Sequence, residues 1–142
     1  MAIKALNPYL NFNGSAEAAI RLYQSALGAE LQGPLMRFGD MPAVPDTPTC
    51  APEQKNHVMH SQLKVGGGVI MVSDTMRGGP MPPGGQVQVT LHFDDPVDMA
   101  QKFEALASGG TVTMPLGDTF WGAKFGMLTD AFGIQWMFNC DL

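Results

Sequence analysis

The feature that most constrains how this chain can fold is an internal repeat. Residues 7–12 (NPYLNF) align with residues 88–93 (QVTLHF) when the two halves are offset by 81 positions, which matches Phe12 with Phe93. Both segments have the alternating character of a short strand, and the start of a helix follows each of them. We therefore expect two copies of one supersecondary unit within one pseudo-symmetric domain.

Each of the two expected helices has a recognisable start and stop. The first begins in the segment 14–17 (GSAE) and ends at Gly28. The second begins with Asp95, a good N-cap, followed by Pro96 at the first helical position, and it ends at Gly109-Gly110. Apolar stripes on both helices predict packing against a core. Their members are Ala16, Ala19, Ile20, Tyr23, Ala26 and Leu27 in the first, and Val97, Ala100, Phe103, Leu106 and Ala107 in the second.

Three further strands are expected after each helix. They cover 31–38, 57–65 and 69–73 in the first half, and 111–114, 124–129 and 134–139 in the second. The order strand, helix, strand, strand, strand thus occurs twice. The predicted fold is α+β: a single domain over 1–142 made of two tandem βαβββ modules, at about 3–76 and about 87–140.

Two segments rich in glycine or proline connect these elements. Residues 77–86 (RGGPMPPGGQ) are expected to be the linker between the modules. Residues 39–56 contain four prolines and are too long for an ordinary connection, so they predict either a mobile surface loop or a lid over a pocket.

The composition excludes several classes of function. The net charge is −5 and the basic residues are scattered, which is not typical of a nucleic-acid-binding surface. Apolar runs are too short to span a membrane, and Asn7 and Pro8 interrupt any signal-peptide core, so we expect a cytoplasmic location. Cys50 and Cys140 are expected to be free thiols. Only 15% of residues are charged, against about 25% in an average domain. With so few charges, methionine and aromatic residues are expected to leave apolar surface that a monomer rarely displays, which predicts a homodimer.

Three stretches resemble a known family: PYLNFNGSAEAAIRLYQSALGAE, HSQLKVGGGVIMVSD and, most specifically, DTFWGAKFGMLTDAFGIQWMFN. They resemble the PhnB-like branch of the vicinal oxygen chelate superfamily, which includes glyoxalase I, bleomycin-binding resistance proteins and extradiol dioxygenases. The resemblance covers nearly the whole chain. It implies paired βαβββ modules whose mixed sheets curve around a cavity, commonly in homodimers.

The resemblance also implies where the divalent metal of this superfamily would bind, on His, Glu or Gln of the first and last strands. Those positions fall at Asn7 or Pro8, Gln88, Met71 or Val72, and Trp136 or Met137. An amide and thioethers form a poor donor set for such metals, so we expect no metal cofactor. Similar sequences have been labelled as ubiquinone-pathway methyltransferases, but Gly66-Gly67-Gly68 lies between two strands and predicts a hairpin turn rather than a nucleotide-type glycine loop.

Side chains that alternate with the apolar strand positions would face the cavity. The residues expected around one ligand are Tyr9, Asn11, His60, Gln62, Gln88, Thr90, His92, Phe120, Trp121 and Trp136. His60 is also the candidate catalytic base, because imidazole readily exchanges a proton near neutral pH, although a hydrogen-bonded structural role would explain it as well. The aromatic residues would equally fit a core or the wall of a pocket.

Three functions are compatible with these features. The first is a protein that binds a small, partly aromatic organic molecule without metal. The second is a metal-dependent enzyme of the glyoxalase or dioxygenase type with unusual ligands such as His60 and Gln88. The third is a metal-free enzyme in which His60 acts as a base.

Overall fold

The computed structural model describes residues 5–40, 52–75 and 86–142. The chain divides into two compact units, one from the first half and one from the second, except that residues 25–27 group with the second unit. Within the described residues no helix combines the length and the apolar character needed to cross a bilayer.

The first unit contains a four-stranded mixed sheet and one long helix. Its elements are β1 (Tyr9–Phe12), α1 (Ala16–Leu27), β2 (Glu30–Leu31), β3 (Met36–Arg37), 3-10 turns at Phe38–Asp40 and Pro52–Gln54, β4 (Val58–His60), β5 (Gln62–Val65) and β6 (Gly68–Asp74). The strand order in the sheet is β1-β6-β5-β2, with β1 and β6 parallel. β3 and β4 form a separate two-stranded sheet.

The second unit has the same topology without that additional sheet. Its elements are β7 (Val89–Phe93), α2 (Pro96–Leu106), β8 (Thr111–Asp118), β9 (Ala123–Thr129) and β10 (Gln135–Asp141), and the strand order is β7-β10-β9-β8. The outer strand β7 again runs parallel to the last strand. The α+β fold of two related βαβββ modules is therefore confirmed.

The register supports the internal repeat at single-residue level. Tyr9 lies opposite Met71 in the first sheet, and Thr90, which is 81 positions after Tyr9, lies opposite Met137 in the second. The first strand of each module thus meets the last strand in the same alignment. Side chains at equivalent positions consequently point to equivalent faces of the two sheets.

The two helices start by different means. Asp95 caps α2 locally, because its Oδ1 accepts a hydrogen bond from the Val97 N–H at 2.9 Å. At α1 the Ser15 side chain makes no cap hydrogen bond. The buried carboxylate of Asp74, at the end of β6, instead accepts from the N–H of Ala16 at 3.0 Å. The first helix is therefore capped by a strand distant in sequence.

The sequence predicts the end of α1 correctly, but not the end of α2 or all of its buried face. α1 stops at Leu27, and Gly28 adopts a φ of 70°, a left-handed conformation that favours glycine. α2 ends at Leu106, before the predicted Gly109-Gly110 stop. Its buried residues are Met99, Phe103 and Leu106, whereas Val97 is 65% exposed, so the stripe predicted for α2 is partly wrong.

Two predicted strands are wrong because each is broken in the middle. The segment 31–38 is interrupted at Gly33, which has a φ of 75°, and at Pro34, which has no N–H to donate. The segment 57–65 is interrupted at Ser61, which is buried and donates its hydroxyl hydrogen to the Val72 carbonyl at 2.6 Å. β3 and β4 therefore pair with each other instead of extending the main sheet.

Several predicted features lie outside the described residues. These are Cys50, most of the 39–56 loop and all of the 77–86 linker except Gln86. Cys140 is described, and its thiol is free and buried.

One face of each sheet is buried. In the first sheet the buried apolar strand residues are Leu10, Phe12, Leu63, Ile70 and Val72. In the second sheet Trp136, Phe138 and Leu128 are buried, and Phe103 of α2 contacts Phe138 edge-to-face with ring centroids 5.0 Å apart. The opposite faces are more accessible, and we call them the first open face (Tyr9, Asn11, Gln62, Met71) and the second open face (Thr90, His92, Phe125, Met127, Met137, Asn139).

Candidate functional site

On the first open face a row of side chains crosses three neighbouring strands. Tyr9 of β1 pairs with Met71 of β6, and Met71 pairs with Gln62 of β5. Directly opposed residues in a sheet point to the same side, so a phenol, a thioether and an amide lie next to one another. Asn11 belongs to the next row, where its Oδ1 accepts a hydrogen bond from the Ser73 hydroxyl at 3.5 Å.

His60 adds an imidazole to this face. Its Nδ1 lies 3.5 Å from the Tyr9 hydroxyl oxygen, and the two ring centroids are 6.2 Å apart with planes tilted by 49°. His60 is the last residue of β4, directly before the break at Ser61. A separation of 3.5 Å is at the long end for a hydrogen bond, so both groups retain capacity to bind a ligand atom. The structure thus brings together four predicted residues: Tyr9, Asn11, His60 and Gln62.

Two further predicted residues, Thr90 and His92, lie on the second open face. The Thr90 hydroxyl lies 3.7 Å from Met137 Sδ, and His92 pairs with Asn139. Sequence reasoning did not assign a site role to Gln135 or Asn139, which alternate with Trp136, Phe138 and Cys140 along β10. The alternation along β10 was the available signal. One set of alternate residues is strongly apolar and packs in the core, so the other set lies on the opposite face.

Trp136 is not part of an open face. It is fully buried, and its indole N–H donates to Asp130 Oδ2 at 2.9 Å. The prediction that it lines the ligand cavity is therefore wrong, because strand alternation turns it to the buried face together with Phe138. Gln88 is exposed and precedes β7 rather than lying within it.

Phe120 and Trp121 form the tip of the β8–β9 hairpin. Phe120 is 97% exposed and Trp121 is 57% exposed, and their rings meet edge-to-face with centroids 5.0 Å apart. Trp121 also approaches Phe125, with ring centroids 6.1 Å apart. The tip is therefore connected to the second open face through Phe125.

Among the described residues of the first unit, an ion pair with two hydrogen bonds joins α1 to β3. Arg37 donates to both carboxylate oxygens of Glu17, at 2.8 and 3.1 Å, and to the Asn56 carbonyl at 2.7 Å. This hydrogen bonding lowers the pKa of Glu17, although partial burial opposes the effect, and it raises the pKa of Arg37. The guanidinium of Arg37 is thereby committed to a structural contact.

The donor atoms of the described residues do not fit the divalent metal that the superfamily resemblance implies. Among residues 5–40, 52–75 and 86–142 there is no group of three His, Cys, Asp or Glu side chains that could hold one ion. At the strand positions named above, the Asn7 amide donates to the Val69 carbonyl at 3.1 Å, and the paired positions on the last strands carry Met71 and Met137. Thioethers are unsuited to a hard or borderline cation.

Comparison with known proteins decides the family. The sequence profile of the Glyoxalase/Bleomycin resistance protein/Dioxygenase superfamily matches residues 5–138. The chain belongs to this superfamily. Protein YjdN of Escherichia coli is 34% identical over 139 residues, which cover 94% of this chain and 93% of that protein.

Two solved structures of similar length share this fold. Protein PA1353 from Pseudomonas aeruginosa is 40% identical, with a TM-score of 0.80 and coverage of 96% of this chain and 98% of that chain. The PhnB protein from Bacillus cereus, which also carries a 3-demethylubiquinone-9 3-methyltransferase name, has a TM-score of 0.77 at 22% identity, with coverage of 96% and 99%. At that identity the likeness shows the fold alone. The predicted superfamily is thus confirmed, and the likeness to a PhnB protein is one of fold. Gly66-Gly67 forms the β5–β6 turn expected from the sequence.

Proposed function

We propose that this superfamily member binds a small organic molecule on the first open face without using a divalent metal. The observation that carries the proposal is the grouping of Tyr9, His60, Met71 and Gln62. These side chains offer a hydroxyl, an imidazole and an amide for hydrogen bonding beside a thioether for apolar contact. Sites for small molecules typically combine an apolar surface with a few convergent polar groups of this kind.

A ligand screen with matched variants tests the proposal. Thermal shifts would be measured with a set of aromatic metabolites for the wild type, Tyr9→Phe and His60→Gln, with His57→Gln as the control because it makes the same change three residues earlier. We expect Tyr9→Phe to weaken binding by roughly three- to tenfold, the effect of one hydrogen bond. His60→Gln should remove the ligand-induced shift, whereas His57→Gln should retain it. A shift that survives in His60→Gln would contradict the assignment of this face.

The Tyr9–His60 contact favours a second candidate function, proton transfer without metal. In that case His60 would take a proton from the bound molecule, and Tyr9 would hold the imidazole in position. Mass spectrometry of any compound that binds, incubated with the protein in D₂O, would reveal turnover, because a proton that His60 takes from the compound is replaced by deuterium from the solvent. Catalysis predicts that His60→Gln stops turnover but leaves measurable binding, whereas a pure binding protein leaves the compound unchanged.

Elemental analysis distinguishes the metal-dependent alternative, in which His60 and Gln88 are ligands, from metal-free binding and metal-free proton transfer. Protein purified without added metal should contain no stoichiometric divalent ion. One ion per chain that is lost in His60→Gln would favour the metal enzyme and overturn the metal-free proposal.

We also propose that the protein is a cytoplasmic homodimer. The low charge of the chain and fully exposed apolar residues such as Phe120 support an interface, because monomers rarely display large apolar patches. Sedimentation at micromolar concentration should give about twice the chain mass of 15.2 kDa. A mass equal to one chain would contradict the dimer.

A further inference from the structure

A chemically reactive pair of residues lies in the connection between β1 and α1. Asn13-Gly14 is the one Asn-Gly pair in the sequence, and both residues are exposed. The main-chain nitrogen of Gly14 can attack the side-chain amide carbon of Asn13, because glycine has no Cβ to obstruct the approach. A bond from that nitrogen to Cγ then replaces the Cγ–Nδ2 bond, and ammonia leaves with the proton of the nitrogen. Water from the solvent opens the resulting succinimide to aspartate or isoaspartate.

The fold requires glycine at the second position of this pair. Gly14 has a φ of 93°, a conformation that L side chains rarely adopt. The His57 ring also lies against it, since a Cβ added to Gly14 would be 3.4 Å from His57 Cε1. Replacing the glycine would strain the start of α1, so the fold retains the residue that makes Asn13 reactive.

The attacking nitrogen is engaged in a hydrogen bond. The Gly14 N–H donates to Asp74 Oδ1 at 2.7 Å, the shortest of the three backbone hydrogen bonds that this carboxylate accepts. Asp74 is 3% exposed, and its bonds to Ala16 and Val58 hold it in place. Ring closure requires the Gly14 nitrogen to leave this acceptor and to lose its proton. The carboxylate opposes both steps, because the hydrogen bond to it is charge-assisted and because negative charge would develop beside it.

We propose that Asn13-Gly14 is a deamidation site that the Asp74 carboxylate keeps closed, and that the site opens when the hydrogen bond to Gly14 is lost. Isoaspartate adds one carbon to the main chain between Phe12, which pairs with Asp74, and Gly14. The Gly14 N–H of that product is displaced from its acceptor, so one opening leaves a permanent change between β1 and α1. This inference concerns the chemical lifetime of the first unit and does not depend on the proposed ligand.

A comparison of the folded protein with a synthetic peptide of residues 7–19 tests the protection. Both are incubated at neutral pH, the protein is digested at acidic pH, and tandem mass spectrometry locates the deamidated residue. We expect Asn13 of the folded protein to react roughly ten- to 150-fold more slowly than in the peptide, the effect of one hydrogen bond to a charged acceptor. Asn11, which precedes the bulky Phe12, is the internal control and should stay unmodified. Equal rates for Asn13 in the protein and the peptide would overturn the inference.

Two variants separate this hydrogen bond from stability in general. Asp74→Asn removes the charged acceptor, so Asn13 should deamidate at nearly the rate of the peptide. Leu63→Ala is the matched control, because it destabilises the same unit from a fully buried position and keeps the Asp74 contacts. Its rate should stay close to that of the wild type. No acceleration in Asp74→Asn, or equal acceleration in both variants, would overturn the role of the Asp74 bond.

A measurement on the wild type does not require any variant to fold. In low concentrations of urea, hydrogen exchange at the Gly14 amide reports loss of the Asp74 bond, and exchange at the β5 amides reports unfolding of the sheet. We expect the deamidation rate to rise together with exchange at Gly14, before the β5 amides exchange. A deamidation rate that rises only with exchange in β5 would overturn the inference. Isoaspartyl protein, purified by ion exchange, should exchange the Gly14 amide faster than unmodified protein, and unchanged exchange would show that the change is not permanent.

Discussion

Asp74 should be among the most sensitive positions for stability in the first unit. Its side chain is 3% exposed, and its carboxylate accepts three backbone hydrogen bonds. Oδ1 accepts from the N–H groups of Gly14 at 2.7 Å and Ala16 at 3.0 Å, and Oδ2 accepts from Val58 at 3.0 Å. One residue therefore joins the start of α1 to the start of β4. We expect Asp74→Asn to destabilise the fold while preserving the volume of the side chain.

The size of the effect follows from these three contacts. The amide of Asp74→Asn keeps one acceptor oxygen, loses the negative charge, and turns an N–H₂ group toward one of the donors. A hydrogen bond to a charged group contributes about 1.5–3 kcal/mol and a neutral one about 0.5–1.5 kcal/mol, so losing one and weakening two should cost about 3.5–6 kcal/mol. Asp74→Ala leaves all three N–H groups without this acceptor and should cost about 4.5–9 kcal/mol, which is comparable to the stability of many whole domains.

Urea unfolding followed by circular dichroism measures this cost. With a slope of about 2 kcal/mol per M, a cost of about 3.5–6 kcal/mol should lower the midpoint of Asp74→Asn by about 2–3 M. Asp94→Asn is the matched control, since Asp94 is exposed, and it should change the free energy of unfolding by less than about 0.5 kcal/mol. A midpoint for Asp74→Asn within about 0.3 M of the wild type would refute the reasoning. Faster amide exchange at Ala16 and Val58 would show that the loss is local to these donors.

Three other predictions concern packing, pH and the core. Gly126→Ala should destabilise by about 1–3 kcal/mol in thermal unfolding, because its Cβ would lie 3.1 Å from Phe103 Cε2; an unchanged melting temperature would contradict this. Arg37 lowers the pKa of Glu17, so the pair stabilises the fold above the ordinary value of 4.5 and this contribution is lost as the pH falls through the lowered pKa. The pair is about one-third exposed, so Glu17→Gln should cost at most about 1 kcal/mol at pH 7 and less at pH 3 in urea titrations; a cost that grows at pH 3 would show the opposite sign. Trp136→Phe should lower the free energy of unfolding by about 1–3 kcal/mol, because Asp130 loses the indole N–H donor. It should leave the ligand-induced thermal shifts unchanged; altered shifts would show that Trp136 contributes to the site.

The parts of the fold that the sequence predicts well depend on short-range or repeated patterns. Asp95 followed by Pro96 specifies the start of α2 within three residues, and the structure confirms it. The offset of 81 relates two strands whose alternation is visible without knowledge of their partners. It therefore predicts the shared topology of the two sheets, although β1 and β7 each pair with a strand much further along the chain.

Other features depend on contacts between distant segments. The cap of α1 comes from Asp74, 58 residues after Ala16, and no local pattern connects the two. At the break, Ser61 donates its hydroxyl hydrogen to the carbonyl of Val72, a residue 11 positions further along the chain, and its own carbonyl accepts from the Val72 N–H. For Trp136 the alternation was visible, but which alternate face of β10 packs against α2 is decided by tertiary structure. The same limit applies to Gln135, since the sequence does not show which alternate face of β10 stays accessible.

The additional β3–β4 sheet has a consequence for how the two halves of this protein can diverge. In the second unit a short turn, residues 119–122, joins β8 to β9. In the first unit the equivalent strands, β2 and β5, are joined by a long connection from Leu31 to Gln62 that contains β3 and β4. His60 lies in that connection. The hydrogen bond from the Val58 N–H to Asp74 attaches the connection to the end of β6. Duplicated modules can thus acquire different chemistry through the length of one connection while both sheets keep their pairing. An engineer who wishes to change what the first open face recognises can redesign residues 32–57 and keep the Asp74 attachment.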